Sequence, residues 1–131
     1  MTRNEVIAEI RAALKRRSGK AWSVTGGRGT AYGWLTVTAP PARCTWSHRL
    51  KLGESGSKLP DVPGNYEEFD TARPGAGHIS PAERAELSAL LGLERVYADG
   101  WQVPSSNDHY AEALDRANGR PPAKIAEQYW D

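Results

Sequence analysis

Apolar residues first recur at helical spacing. Val6, Ile7, Ile10, Ala13 and Leu14 share one face of residues 3–17, the mark of an amphipathic helix. Thr2-Arg3-Asn4-Glu5 forms a capping box, a hydroxyl for the exposed amides and a Glu three residues on to reciprocate. Ser18-Gly19 supplies the stop, and Lys15, Arg16 and Arg17 fall in the last turn, where cations complement the helix dipole. The period then drops to two. Trp22 and Val24 share one face of a first strand, and Gly26-Gly27-Arg28-Gly29 is a turn. Tyr32, Trp34, Thr36 and Thr38 alternate with Ala31, Gly33, Leu35 and Val37 in a second strand that Pro40-Pro41 ends. A third strand spans 43–52, with Arg43, Thr45, Ser47, Arg49 and Lys51 on one face and Cys44, Trp46, His48, Leu50 and Leu52 on the other.

Beyond Leu52 the pattern dissolves. Residues 53–79 are rich in Gly and Pro and read as a long irregular loop, pinned by Leu59, Val62, Tyr66 and Phe69. Ser80-Pro81-Ala82-Glu83 opens a second helix with Leu87, Leu90 and Leu91 inward and Gly92 as its stop. Leu93, Val96, Tyr97, Trp101 and Val103 flank Ala98-Asp99-Gly100, a small hairpin. A third helix starts at Ser105 or Ser106 and runs to about Asn118, with Tyr110, Ala113, Leu114 and Ala117 inward. Pro121-Pro122 opens a last short helix whose Ile125, Tyr129 and Trp130 dock on the body. The expectation is one α+β domain over residues 1–131: an N-terminal helix, an antiparallel three-stranded sheet, a long loop, then short helices with a small hairpin.

Composition thins the core. Ile, Leu, Val and Phe make up only about 16% of the chain, so its five Trp and five Tyr must supply much of the buried area. Charge divides the chain in two: residues 1–51 carry net +8 and residues 52–131 net −7. Either a basic patch serves an anionic partner, or the two halves neutralise each other in the fold, which is the simpler reading. One cysteine, Cys44, excludes a disulfide framework and reads as buried filler. With no long apolar run and no signal-peptide core, the expected location is cytoplasmic, without a membrane partner.

The chemistry-bearing residues converge on no reaction. His48, His78 and His109 are scattered, and no nucleophile–base motif is present. His48 reads as a satisfied core or interface imidazole, and Glu67, Glu68 and Asp70 as a solvated acidic loop. Gly26–Gly29 reads as a hairpin turn, since strand-like sequence follows it where a phosphate cradle needs a helix. No cofactor is expected. Arg28, Arg43, Arg49 and Lys51, with Tyr32 and Trp34 as stacking rings, would give a basic, aromatic sheet surface for single-stranded nucleic acid or RNA.

Ile10-Arg11-Ala12-Ala13-Leu14-Lys15, then Trp22-Ser23-Val24 and a Gly-bearing turn into a second strand, resembles one of the large polyvalent-protein-associated domains of phage and plasmid proteins. The likeness covers roughly residues 5–38, with Thr38-Ala39-Pro40-Pro41 standing where an acidic-glycine turn would follow. It implies an accessory role in mobile-element biology and supplies no catalytic residues. The resulting expectation is a non-enzymatic accessory or binding domain that contacts nucleic acid through residues 20–51. The alternatives are a protein-interaction module of a bacterial or mobile-element system, and an enzyme using His48 or His109 with acids of the long loop.

Overall fold

The computed structural model of the protein describes residues 2–27, 34–51, 66–75 and 77–126. Helix α1 spans Arg3–Ser18, and both hydrogen bonds of its capping box form, between Thr2 and Glu5. Its C-cap is Gly19 at φ 75°, the left-handed conformation that glycine adopts without penalty. Strands β1 (Ser23–Gly26) and β2 (Leu35–Thr38) pair antiparallel, followed by a 3-10 turn at Pro41–Arg43. Then come β3 (Trp46–Leu50), β4 (Tyr66–Asp70), α2 (Pro81–Leu91), β5 (Trp101–Val103) and α3 (Asn107–Ala117). Ser80 and Ser106 cap α2 and α3 through their hydroxyls.

The architecture is α+β with a three-stranded antiparallel sheet, but its third strand is not the expected one. The sheet order is β1-β2-β5, while β3 leaves it and pairs with β4 as a separate two-stranded ribbon. The reason lies in the faces the strands offer. β2 buries Leu35 and Val37 and needs apolar neighbours, which Trp101 and Val103 supply in register. β3 presents Ser47, His48 and Arg49 and buries none of its residues fully. β4 lies within the stretch expected to be irregular. Its Glu67 stands directly across from Arg49 and pairs with it, a cross-strand charge match that favours this partner.

Val6, Ile10, Ala13 and Leu14 of α1 pack with Trp22, Val24, Leu35, Val37 and Val103 of the sheet region, joined by Leu87, Leu91, Ala113 and Ala117 of the other helices. Thr25, Thr36 and Gln102 lie on the opposite, polar face, where Thr36 Oγ1 donates to Gln102 Oε1 at 2.9 Å. Trp22 is fully buried, its indole N–H donating to Ser18 Oγ at 3.1 Å.

Long cations of α1 finish the frame. Arg11 donates to the Val24 carbonyl at 2.8 Å and Arg3 to that of Gly27 at 3.1 Å. A Cβ on Gly26 would fall on the Arg3 guanidinium. Arg17 donates to Leu90, Arg116 and Ala117 carbonyls, so one cation serves the negative ends of α2 and α3.

The described part of the segment after Pro121-Pro122 runs to Ala126 and is not helical, which corrects the expected short helix over that stretch. Ile125 is 63% exposed rather than docked; Ala126 is the residue buried there. Tyr129 and Trp130 lie outside the described residues. No helix among the described residues is long and apolar enough to cross a membrane.

Candidate functional site

Four of the six residues of the expected nucleic-acid surface are described, and they stand on different elements. Arg28 and Tyr32 lie outside the described residues. Trp34 is half-buried just before β2, its carbonyl accepting from Gly27 N. Arg43 is committed to the fold: it pairs with Glu83 at 2.7 Å, donates to the Ala21 carbonyl and covers the Trp22 ring at 4.8 Å. Arg49 pairs with Glu67 and lies over Phe69 at 4.6 Å on the ribbon, and Lys51 is exposed just beyond β3. Lys20 joins Glu86 at 2.6 Å. Cations of the first half thus meet acids of the second, and the two halves partly neutralise each other.

The acidic cluster is likewise absorbed. Glu67 serves Arg49, Glu68 pairs with Arg84 at 2.5 Å, and Asp70 Oδ1 accepts from Ala72 N. The hydrogen bond from Arg84, aided by its charge and by His48 and His78, holds the Glu68 carboxyl below its ordinary value. The sign follows. The Glu68–Arg84 contact contributes fully above the usual glutamate range and is lost as pH falls through the depressed midpoint. An NMR titration should therefore place the Glu68 midpoint below 4.5 and return it toward that value in Arg84→Ala. Cys44 is buried, and burial, with Glu83 adding to it, pushes its thiol up, away from the reactive thiolate. His48, expected on an apolar face, is exposed. Among the described residues no group of three or more His, Cys, Asp or Glu side chains is arranged to hold a metal ion.

What the structure does assemble is a groove of about 700 Å³ along β5. The turn Tyr97–Gly100 forms one end, β5 and Pro104 the floor, α3 one wall, and Ile125 and Ala126 the rim. Apolar walls come from Leu93, Val96, Trp101 and Val103. Glu112 and Arg116, an ion pair at 2.8 Å with side chains 14% and 12% exposed, stand in the α3 wall. Glu112 Oε1 also accepts from Ala126 N at 2.8 Å, which holds the last described segment against α3. His109 lines the same groove, its Nδ1 at 2.7 Å from Ser106 Oγ. That hydroxyl is already the helix cap, accepting from the His109 amide.

Strand register shows what the groove floor offers. Gly27 N–H donates to Trp34, so Ser23/Thr38 and Thr25/Thr36 are the hydrogen-bonded pairs of β1 and β2. Leu35 and Val37 therefore turn their amides toward β5, where they meet Val103 and Trp101. Gln102, between them, directs its backbone N–H and C=O away from β2, out of the sheet edge. The corresponding outward carbonyl of β1, at Val24, is occupied by Arg11. One edge of the sheet is capped, and the other opens along an apolar groove.

No family model, curated protein or solved structure matches the chain. The site must speak for itself.

Sequence reasoning found the parts of this groove without the groove. The turn at Ala98-Asp99-Gly100 and the apolar Trp101 and Val103 were legible, but the α3 residues of the wall, His109, Glu112 and Arg116, lie off the apolar stripe of that helix and were not. That these line one cleft depends on β5 pairing with β2, across more than sixty residues of chain.

Proposed function

We propose that the chain is a non-enzymatic protein-interaction module that takes an extended peptide segment along the open edge of β5. The observation that carries this reading is the outward N–H and C=O of Gln102 beside an apolar groove, flanked by Tyr97 at 60% and Ile125 at 63% exposure. Open strand edges are templates for another strand, and a groove for alternate side chains adds specificity. β5 has three residues, so main-chain bonds alone are few and the apolar walls must supply most of the affinity. An accessory role, of the kind implied by the likeness of residues 5–38 to phage and plasmid modules, is compatible with such docking.

Nucleic-acid binding through Arg28, Tyr32, Trp34, Arg43, Arg49 and Lys51 receives less support, because Arg43 and Arg49 already face carboxylates. The enzyme reading, His48 or His109 with acids of the long loop, receives less still: Glu67 and Glu68 are paired with Arg49 and Arg84, and Asp70 accepts from the Ala72 amide.

The test is selection of short peptides from a displayed random library, followed by binding measurements on Gln102→Pro. Proline removes the outward N–H, and at an edge that amide leaves the β2–β5 ladder intact. The expected result is enrichment of apolar, β-branched peptides whose affinity drops by about tenfold or more in the variant, the loss of an anchoring hydrogen bond and the approach to the edge. Enriched peptides that bind Gln102→Pro as well as the parent, or no enrichment at all, would overturn the reading. Tight binding of mixed single-stranded DNA at low salt, weakening steeply as salt rises, would favour the basic surface instead.

A further inference from the structure

The base of the β3–β4 ribbon holds two imidazoles whose setting the groove does not use. His48 lies on β3, and His78 precedes α2 in a bridge with Trp46, where Trp46 N donates to the His78 carbonyl at 3.1 Å. That bridge places positions 48 and 78 diagonally on the same face of the ribbon. Their ring centres stand 5.3 Å apart, with planes tilted by 39°. Neither ring hydrogen-bonds to a described residue, and Nδ1 of His78 is covered and without a partner. A covered ring nitrogen without a partner is costly unless something else satisfies it. Glu68 lies across the ribbon from His48 and feels both rings, with one of its oxygens, Oε2, held by Arg84. It brings negative charge to a place where a cation would sit.

The spacing matches one chemistry well. With Zn–N near 2.0–2.1 Å, each ring centre stands roughly 3.2 Å from the ion, and at the tetrahedral angle two such rings are roughly 5.2 Å apart. Imidazole pairs of this kind suit zinc, copper and nickel. We propose that His48 and His78 form a two-imidazole site for a divalent transition-metal ion, zinc first, with the remaining positions filled by water and Glu68 as the neighbouring counter-charge. Since the two ligands come from β3 and from the segment entering α2, the ion fastens the ribbon to the body. The open positions also leave it able to accept a donor from outside the chain.

The experiment is a calorimetric titration of the tag-free chain with Zn²⁺, with NMR of the imidazole nitrogens in parallel. One ion per chain is expected, and the rings of His48 and His78 shift together while His109 stays in place. Removing a ligand should cost at least what losing its outer partners does, so His48→Gln and His78→Gln each weaken binding by about tenfold or more. His48 is exposed, so its variant keeps the fold even where His78→Gln does not. The proposal is overturned by the absence of saturable binding below about 1 mM Zn²⁺, by affinity unchanged in His48→Gln, or by shifts confined to one ring or to His109.

Discussion

Gly100→Ala is expected to lose about 3 kcal/mol of stability or more, as roughly 1–3 kcal/mol of backbone strain adds to a comparable overpacking cost. Gly100 is buried at φ 101°, where a side chain is strained whatever the space around it. Space is absent as well. A Cβ would stand 2.4 Å from the Val37 carbonyl oxygen and 2.9 Å from Thr38 Cβ. The first of these is backbone of the central strand, which bonds β1 on one side and β5 on the other and cannot yield without loosening both ladders. Thermal unfolding followed by circular dichroism should show a melting temperature lower by on the order of 10 °C or more. Gly19→Ala is the matched control: φ is 75° and nothing lies within 4 Å, so strain alone remains, about 1–2 kcal/mol. Equal losses in the two variants would show that the contact with β2 is not what requires glycine. Since Gly100 sets the entry into β5, its variant should also lose peptide binding in proportion to unfolding.

Arg116→Ala is expected to cost about 3 kcal/mol, within the range for removing one partner of a largely buried ion pair. The guanidinium holds Glu112 through Nε and the Leu91 and Gly92 carbonyls through Nη1 at 3.1 and 2.9 Å, closing the C-terminal end of α2. Without it, a Glu112 side chain only 14% exposed keeps one described partner, the Ala126 amide. The reciprocal change, Glu112→Ala, frees that amide, which should then exchange with solvent at a rate near that of an unprotected one. Urea unfolding of Arg116→Met, Glu112→Leu and the double variant forms a cycle. The double variant should lose less than the two singles combined, because apolar replacement leaves no stranded charge. Strict additivity would mean that the pair acts as two independent contacts.

The helices were readable because their signals are local. A hydroxyl three residues ahead of a Glu, an apolar stripe and a terminal glycine all act within a few residues: the full capping box forms at Thr2, the Ser80 hydroxyl caps α2, and of the two serines before α3 it is Ser106 that caps. The strand expected over 43–52 was readable in part for the same reason, since alternation is a property of one segment, but it forms only at 46–50, because the 3-10 turn at Pro41–Arg43 takes up its first residues. The strand's partner was not readable, because alternation says which faces exist and nothing about which other strand meets them. Arg43 shows the same limit at the level of a side chain. On paper it is a cation on a polar face; in the fold it bridges Glu83 and Trp22 and is no longer an offered charge.

By itself, then, the chain determined an α+β composition, the caps at Thr2 and Ser80 and an opposition of charge between its halves, whereas the core among the described residues is aliphatic, with Trp22 its one fully buried aromatic. What the chain determined follows from residue type and short spacing. The tertiary structure alone decided that β5 completes the sheet, that one sheet edge is capped by Arg11 while the other opens on a groove, and that His48 meets His78. Each of those joins residues tens of positions apart, and the free energy that selects such pairings lies in shared burial and matched hydrogen-bonding edges, which no local pattern records.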